Sequence, residues 1–396
     1  MSKDWAKVCV ADVCESIIDC INKTAPTVDE VTPFKMIRTT NVRDGWVNLD
    51  NVKYVNQTIY KKWVRRQLPR RGDVILTREA PLGEAGILRS DEQVFLGQRL
   101  VSYRADPDKL DNRFLLYSFL SDYLQAQIKA LGSGATVEHM RVPDAQKLLI
   151  RLPPLAVQKQ IGDILSAYDD LIENNTRRIA ILEEMARRLY QEWFVHFRYP
   201  GYEKVKLVDS ELGEIPEGWS LGRLQDFVEL AYGKALKAND REEGPCPVFG
   251  SSGVVGTHSA SLVDGPGIIV GRKGNVGSVH WSDEAFWPID TVYFVRTDLS
   301  LFFVFFNLMN QNFLNNDAAV PGLNRNQAYS LPFLLPDEAL VDAFDRVCGP
   351  LFAQHRVLRL KNTNLRTQRD LLLPRLISGE IDVSTLPAQQ AEEAAA

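Results

Sequence analysis

Apolar residues recur at alternating spacings of four and three along the middle of the chain, between residues 161 and 193. The positions on this stripe are Ile161, Leu165, Tyr168, Ile172, Asn175, Ile179, Leu182, Ala186, Leu189 and Trp193. Such spacing is typical of the seam of a coiled coil, along which one helix packs against another. Pro154 stands just before the stripe and suits a first helical turn, where its missing N–H costs nothing. The pattern therefore predicts a long central helix, with Asn175 as the distinctly polar position of its seam.

A second stripe with the same spacing lies near the end of the chain. Its positions are Phe344, Cys348, Leu351, His355, Leu358, Asn362, Leu365, Arg369 and Leu372, of which three are polar. Gly349 and Pro350 should kink the first turns of this helix, and Gly379 is a plausible stop after its last turn. Neither helix can bury so long a stripe against itself, so we expect the two to pack on each other in antiparallel fashion. The alternative is that each helix closes the core of its own domain.

The chain also repeats itself. A shift of 183 residues places Pro153 on Pro336 and Leu189 on Leu372, without a gap from about residue 134 to residue 189. Further upstream, a shift of 194 residues pairs "VILTREAPLG" (74–83) with "IIVGRKGNVG" (268–277). The matches keep their order along the chain, which indicates a duplication. We predict a domain at 1–152, a helix at 153–198, a second domain at 199–336, a second helix at 337–380, and a disordered acidic, alanine-rich tail at 381–396.

Each predicted domain mixes strands and helices. "VILT" and "LVSYR" have the composition of strands in the first half, as do "GIIVG" and "TVYFV" in the second. Each half then carries one amphipathic helix, "RFLLYSFLSDYLQAQIKAL" or "LFFVFFNLMNQNFL". The predicted fold class is therefore mixed α/β (α+β), with two similar domains separated by two long antiparallel coiled-coil helices in a pseudo-two-fold internal repeat.

Composition narrows the class of protein. With 396 residues the chain is too long for one ordinary core. It has no apolar run near the ~20 residues of a membrane span, and the N-terminus "MSKDWAKVCV" has no signal-peptide pattern, so we expect a cytoplasmic protein. The five cysteines are odd in number and form no C-x-x-C pair, which favours buried thiols over disulfides or a zinc site.

Motifs for catalysis are missing from the sequence. There is no G-x-x-x-x-G-K-[ST] phosphate loop, no H-E-x-x-H, no triad spacing and no carboxylate pair with a lysine that would suggest a nuclease. We therefore interpret the chain as non-catalytic and expect no metal or cofactor of its own. The net charge of −5 argues mildly against nucleic acid, but local charge matters more than the sum, and "KKWVRRQLPRR" (61–71) carries six basic residues and no acidic one.

Basic and amide side chains gather on glycine-flanked loops of both halves. Such groups can hydrogen-bond guanine or adenine edges or grip phosphates. Charged surface exposed only to solvent is the alternative for any one of them, but the pattern recurs in the second half. The candidate DNA-binding residues are Arg78, Gln98, Arg99, His139, Arg141, Arg272, Lys273, Asn275, Asn324 and Arg325.

The duplicated order of domain and helix resembles the specificity subunit of type I restriction-modification enzymes. The likeness covers nearly the whole chain and is carried by "GDVILTREAPLGEAGIL", by the segment from "LPPLAVQKQI" to "QEWFVHF", by "GEIPEGW" and by "LRTQRDLLLPRLISGEIDV". It implies two target-recognition domains, each reading one half of a split, asymmetric site on double-stranded DNA. It also implies that the helices separate the domains and bind two modification subunits, which supply S-adenosylmethionine and methylate adenine. Restriction subunits would add ATP- and Mg-dependent translocation and cleavage.

Aromatic residues at the end of the central helix are the candidate contacts for a modification subunit. Trp193, Phe194 and Phe197 form a cluster of the kind found in interface hot spots, with packing against the chain's own second domain as the alternative. Two further functions stay open from the residues alone. The chain could be the recognition subunit of another DNA-methylation-based defence complex, or a coiled-coil adaptor that does not touch DNA.

Overall fold

The structure is a computed structural model, and it describes residues 5–132, 138–313 and 322–384. The chain divides into two units. Unit 1 comprises residues 1–174 and 362–396, and unit 2 comprises residues 175–361. Each of the two long helices contributes one half to unit 1 and the other half to unit 2, so neither helix belongs to a single domain.

Unit 1 is built on a mixed sheet. Its strands are β1 (Ala6–Cys9), β2 (Cys14–Asp19), β3 (Lys35–Ile37), β4 (Val42–Arg43), β5 (Gly45–Val47), β6 (Lys53–Tyr54), β7 (Val74–Arg78), β8 (Leu82–Ile87), β9 (Val94–Leu96), β10 (Leu100–Ala105) and β11 (Leu149–Leu152). The main sheet has the order β2-β10-β7-β8-β5-β4, a smaller sheet has the order β6-β3-β9, and β1 pairs with β11. The central strand β7 is buried from Val74 to Thr77 because the sheet is covered on both faces.

The helices of unit 1 cover this sheet. They are α1 (Gln57–Trp63), α2 (Asn112–Leu120), α3 (Asp122–Leu131), α4 (Val142–Ala145) and the first half of α5 (Leu155–Tyr190). Asp111 caps α2 by accepting hydrogen bonds from the N–H groups of Arg113 and Phe114. The single amphipathic helix predicted at 113–131 was wrong in one respect. The helix is interrupted at Ser121, which has an extended backbone, and continues as α3.

Unit 2 has the same plan. After a π-helical turn at Gln191–Val195 its strands are β12 (Leu207–Ser210), β13 (Gly213–Pro216), β14 (Ser220–Arg223), β15 (Glu229–Tyr232), β16 (Cys246–Gly250), β17 (Gly253–His258), β18 (Gly267–Gly271), β19 (Val279–Ser282), β20 (Trp287–Pro288), β21 (Val292–Arg296) and β22 (Pro332–Leu335). Its helices are α6 (Leu224–Phe227), α7 (Leu301–Asn310), α8 (Arg325–Tyr329) and the first part of α9 (Glu338–Ile377).

The sheet orders confirm the internal repeat. The order β15-β21-β18-β19 in unit 2 matches β2-β10-β7-β8 in unit 1, and the pair β14-β22 matches β1-β11. The small sheets also agree, because β16 pairs with β17 in antiparallel and with β20 in parallel fashion, as β3 does with β6 and β9. The strands predicted at "VILT", "LVSYR", "GIIVG" and "TVYFV" are β7, β10, β18 and β21.

The long helices carry the predicted seams. Every position of both stripes is buried or half-buried, whereas most of the remaining helix positions are exposed. Within unit 1, Ile172 of α5 accepts a hydrogen bond at its carbonyl from the Asn362 amide of α9, and Asp169 contacts Arg369. The lower residue number on one helix pairs with the higher one on the other, so the two halves run antiparallel. Within unit 2, the pairing of Glu183 with His355 continues the same order.

The helix ends follow the expected chemistry with small differences. Pro154 lies one position before the first helical residue of α5, and its carbonyl accepts the N–H groups of Val157 and Gln158. α9 runs without interruption through Gly349 and Pro350, and a kink there stays a prediction. Gly379 follows the end of α9 with a φ of +75°, a left-handed conformation that favours glycine. The tail from residue 385 onward lies outside the described residues.

Two further findings bear on composition. All five cysteines are free thiols; Cys20 and Cys348 are buried, and the other three are half-buried. Within the described ranges, no helix is both long and apolar enough to cross a lipid bilayer.

Candidate nucleic-acid interface

Three chain segments of unit 1 meet at the end of β7. The Arg78 N–H donates to the Arg99 carbonyl over 2.8 Å, and the Arg78 carbonyl accepts from the Met140 N–H over 2.9 Å. Glu79 and His139 form an isolated β-bridge beside these bonds. The five unit 1 residues predicted to bind DNA come from segments 78–79, 98–99 and 139–141, and the structure brings these segments together.

The same arrangement occurs at the end of β18 in unit 2. The Arg272 N–H donates to the Thr291 carbonyl over 2.9 Å, and its carbonyl accepts from the Leu323 N–H over 2.8 Å. Lys273 and Gly322 form an isolated β-bridge. These are the equivalents of the unit 1 contacts, since the shift of 194 residues carries Glu79 to Lys273 and the shift of 183 carries His139 to Gly322. The two halves therefore share one backbone framework at this site.

In unit 1, the three arginine side chains on this framework have different partners. The Arg78 guanidinium is half-buried and donates to the Met140 carbonyl over 2.9 Å, so Arg78 holds two loops together. Arg99 is exposed, adopts a φ of +69° and lies 3.3 Å from a Glu79 carboxylate oxygen. Arg141 is 72% exposed at its side chain and pairs with Asp144. Surface ion pairs of this kind contribute only ~0–1 kcal/mol, so both guanidinium groups can exchange a carboxylate for a phosphate at low cost.

The two remaining candidates of unit 1 lie at the edge of the same site. Gln98 is half-buried, and its side-chain oxygen accepts a hydrogen bond from the Thr24 hydroxyl over 2.9 Å. His139 is exposed and is held through the backbone bridge to Glu79. Either side chain could turn toward a ligand without breaking the backbone framework.

Unit 2 presents a different set of side chains. Lys273 and Asn275 are exposed on the turn after β18, where the Asn275 N–H donates to the Ser251 hydroxyl and its carbonyl accepts from the Ser278 hydroxyl. Asn324 caps α8 by accepting the N–H groups of Asn326 and Gln327, so its side-chain oxygen is already occupied. Gly277 takes a φ of +75° here, as its equivalent Gly83 does in unit 1 with a φ of +91°.

Arg272 and Arg325 gather around a tyrosine that the sequence pattern did not single out. Both guanidinium carbons lie over the Tyr232 ring, at 5.4 and 4.9 Å from its centroid. The Tyr293 ring contacts Tyr232 with centroids 5.1 Å apart. Burial, with a further contribution from Tyr232, raises the pKa of Tyr293 to about 12, so its hydroxyl stays protonated and donates to the Leu323 carbonyl. An aromatic residue at the end of a strand is typical of a core position, and for that reason Tyr232 was missed.

The aromatic cluster proposed for partner contact is turned inward in unit 2. Phe194 is 7% exposed and packs against Phe303 and Phe344. Trp193 and Phe197 are half-buried and contact Phe344 and Trp219. This packing is the alternative considered from the sequence, and a contact of the three residues with a partner subunit stays a prediction.

No cluster of histidine, cysteine, aspartate and glutamate side chains that could hold a metal ion occurs in the part of the chain that the structure describes. The polar groups at the two sites are instead cations, amides and a hydroxyl-bearing aromatic, which are the groups that bind nucleic-acid phosphates and base edges. Two copies of one domain, each offering such groups on converging loops and each followed by a long helix, define a duplicated recognition protein.

Comparison with known proteins agrees with this class. The chain matches the family model for the type I restriction modification DNA specificity domain at residues 2–184 and 216–338. It is therefore a member of that family, as the resemblance indicated, and a DNA-specificity component of a type I restriction-modification system. The family is one of recognition components rather than of catalysts.

Individual relatives have the same description. The specificity subunit of the type I restriction enzyme MjaIX from Methanocaldococcus jannaschii is 23% identical over 346 residues, which cover 80% of this chain and 79% of that protein. The EcoBI specificity subunit from Escherichia coli is 30% identical over 165 residues, 39% of this chain and 34% of that protein. The crystal structure of a type I restriction-modification S subunit from M. genitalium aligns with a TM-score of 0.56 at 17% identity, over 94% of this chain and 96% of that one, which shows a shared fold.

Proposed function

We propose that each unit reads one half of a bipartite, asymmetric site on double-stranded DNA through its converging loops. The observation that carries this proposal is the shared backbone framework at the ends of β7 and β18, on which the two units display different side chains. A common framework places both sets of side chains in the same way relative to their sheets. Different side chains on it would let the two halves of the site differ in sequence.

The candidates divide by what their side chains already bind. Arg99, Arg141, Lys273 and Asn275 are exposed and have at most surface partners, so they are the candidates for base or phosphate contact. The Arg78 guanidinium donates a hydrogen bond to the Met140 carbonyl, so Arg78 is better suited to holding the loops in place. Gln98, His139 and Asn324 could contribute at the edges of the two sites.

The helices would set the gap between the two half-sites and dock two modification subunits. Several large apolar side chains on the helices are exposed outside the seam, which supports contact with a partner: Leu171, Ile181, Met185, Val357, Leu360 and Leu371. The modification subunits would supply S-adenosylmethionine and methylate adenine. Restriction subunits would bring ATP- and Mg-dependent translocation and cleavage, and this chain would contribute recognition alone.

The test uses the full chain co-expressed with its own modification subunits, and the methylated motif is read from the host genome. The double variant Lys273→Ala/Asn275→Ala should relax positions in one half-site, and Arg99→Ala/Arg141→Ala should relax positions in the other. Loss of a base contact should cost ~1–3 kcal/mol at one position, whereas loss of a phosphate contact should weaken all sequences alike.

Arg296→Ala is the matched control, because Arg296 is an exposed arginine at the opposite end of β21 from the loops. It should leave the motif unchanged. If either double variant relaxes both half-sites together, the two units do not read separate halves and the proposal is wrong.

A further inference from the structure

Tyr232 is an exposed aromatic residue at the end of an edge strand. It is the last residue of β15, and 52% of its surface is accessible although it pairs directly with the buried Tyr293 of β21. Its ring has Arg272 and Arg325 as cationic neighbours. Tyr232 closes the ladder between the edge strand β15 and β21, and its ring contacts the Tyr293 ring with centroids 5.1 Å apart.

The two arginines beside this ring are charged groups whose described neighbours are aromatic rings and a carbonyl oxygen. Among the described residues, no carboxylate oxygen lies within ion-pair distance of either guanidinium. Arg272 donates from both Nε and Nη2 to one carbonyl oxygen, that of Asp290, and Nη1 remains available. The Arg325 guanidinium contacts the Tyr232 and Tyr329 rings and has no hydrogen-bond acceptor in the described part of the chain. Two like charges therefore lie over one ring, at 5.4 and 4.9 Å from its centroid.

The Tyr232 ring is the one aromatic group that both arginines contact among the described residues. A guanidinium over the face of a tyrosine is attracted by the negative potential of the π system, which offsets part of the repulsion between the two cations. A stacked arginine also loses little further conformational freedom when its free donors meet a ligand. Two arginines stacked on one ring are complementary to a hydrogen-bond acceptor that carries negative charge.

Unit 1 has no such cluster at the equivalent place. The strand registers align Tyr232 with Asp19, since Tyr293 lies between Tyr232 and Val270 as Val101 lies between Asp19 and Leu76. Asp19 forms an ion pair with Arg66. The position of Arg325 corresponds to Val142 in the repeat. The cluster is therefore a feature of unit 2 alone, as expected of groups that distinguish what the two units bind.

We propose that Tyr232 is a positioning residue for the half-site read by unit 2. It holds Arg272 and Arg325 as a clamp for hydrogen-bond acceptors on DNA, which are either phosphate oxygens or the O6 and N7 atoms of a guanine. This inference rests on the proposed function and adds to it the group that arranges the two arginines and the kind of acceptor they meet.

The experiment compares Tyr232→Leu with Tyr232→Phe in the full complex with modification subunits, using binding to duplex DNA that contains the methylated motif. Tyr232→Leu removes the shared ring and leaves Arg272 only the Tyr293 ring and Arg325 only the Tyr329 ring, and it should weaken binding by about five- to thirty-fold. Tyr232→Phe keeps the ring and should bind within about two-fold of the unaltered complex. Arg325→Ala should weaken binding as Tyr232→Leu does.

Tyr202→Leu is the matched control, since Tyr202 is an exposed tyrosine of unit 2 outside these loops. It should leave the affinity for this DNA unchanged.

Two further measurements identify the acceptor. If the clamp holds a phosphate, Tyr232→Leu weakens all DNA sequences alike and the slope of log affinity against log salt falls by roughly 1. If the clamp holds a guanine, one position of the half-site read by unit 2 is relaxed and the salt slope stays as it was. The urea midpoint should be unchanged in both cases, because Tyr232 is half exposed.

The inference is overturned if Tyr232→Leu leaves affinity and motif unchanged, or if Tyr232→Phe is as impaired as Tyr232→Leu. These results differ from failure of the proposed function. If Arg325→Ala alters one half-site and Tyr232→Leu does not, only the role of Tyr232 is wrong. If Arg325→Ala alters the half-site that Arg99→Ala also alters, the assignment of one half-site to each unit is wrong.

Discussion

Arg78 and Arg272 occupy equivalent positions of the repeat and use their guanidinium groups in different ways. Arg78 donates to the carbonyl of Met140 over 2.9 Å. Arg272 donates to the carbonyl of Asp290 and lies over Tyr232. A residue type at a repeated position therefore does not have a repeated role, because the role depends on which acceptors the neighbouring loops place within reach.

Burial also controls the ionisation of the Cys348 thiol. This thiol lies in the core of unit 2, where burial and, secondarily, the charge of Asp345 raise its pKa from near 9 to about 12. In the unfolded chain the thiol ionises near its ordinary pKa, whereas in the folded chain it stays protonated. The protonated thiol therefore contributes fully to the stability of the folded state below pH 9. As the pH rises toward 12, this contribution to the free energy of unfolding is lost by up to ~1.4 kcal/mol per pH unit.

Urea unfolding of the wild type and of Cys348→Ala at several pH values between 7.5 and 10.5 checks this prediction. The alanine variant is less stable at neutral pH because it loses buried volume. The difference in unfolding free energy between the two proteins should narrow as the pH rises, since only the wild type has this thiol to ionise. A difference that stays constant with pH would show that the thiol titrates normally in the folded state.

At the scale of elements, the polar residues on the seam of α9 each have a partner on α5. Asn362 donates to the Ile172 carbonyl, and His355 contacts Glu183. Arg369 donates to Asp169, which also accepts a hydrogen bond of 2.6 Å from the Tyr117 hydroxyl. Burial alone would lower the pKa of Arg369, but the hydrogen bond and charge of Asp169 raise it above its ordinary value, so the guanidinium is charged. Polar seam positions of this kind specify the pairing of helices at some cost in stability.

Replacing Arg369 alone should lower the free energy of unfolding more than replacing Tyr117, Asp169 and Arg369 together. Arg369→Leu leaves the Asp169 carboxylate, which is 1% exposed, without a counter-charge and should cost ~3–5 kcal/mol in the free energy of unfolding. The triple variant Tyr117→Phe/Asp169→Leu/Arg369→Leu should recover most of that loss, because it replaces the ionic group by apolar contacts.

Chemical unfolding of both variants measures the effect. Arg366→Leu, an exposed arginine of the same helix, is the control and should change stability by no more than ~0.5 kcal/mol. Equal stability of Arg369→Leu and the wild type would mean that the buried carboxylate does not depend on this arginine.

At the scale of the whole molecule, α5 passes from unit 1 into unit 2 at residues 174–175, and α9 passes from unit 2 into unit 1 at residues 361–362. The proposed function assigns the gap between the half-sites to these helices. Inserting one heptad at both junctions keeps the four-three spacing and lengthens each helix by ~10.5 Å, which corresponds to about three base pairs of ~3.4 Å.

The complex with the paired insertions should methylate a motif with unchanged half-sites and a gap longer by about three base pairs. Sequencing of methylated host DNA reads this directly. A heptad inserted into α5 alone is the control, and it should impair assembly because it shifts Glu183 away from His355 on α9. Methylation of the original gap by the doubly extended protein would show that the helices do not set the spacing.

The sequence by itself determined the parts that follow from local periodicity. The four-three spacing marked both seams, from Ile161 to Trp193 and from Phe344 to Leu372, because a helix brings every third and fourth residue to one face. The order of the repeat predicted the equivalent strands β7 and β18. Gly379 marked a helix end because its left-handed backbone favours a residue without a side chain.

Only the tertiary structure decided which distant groups meet. Phe194 and Tyr232 are both aromatic residues near the end of an element, yet Phe194 is buried and Tyr232 is exposed. Phe194 is covered by Phe303 of α7 and Phe344 of α9, whereas Tyr232 ends an edge strand, and no local pattern encodes this difference. The candidate cations were found from residue type and glycine-flanked loops. Their division into loop-holding Arg78, surface-paired Arg141 and ring-stacked Arg325 depends on contacts between segments far apart in sequence, and such contacts form only when the chain folds.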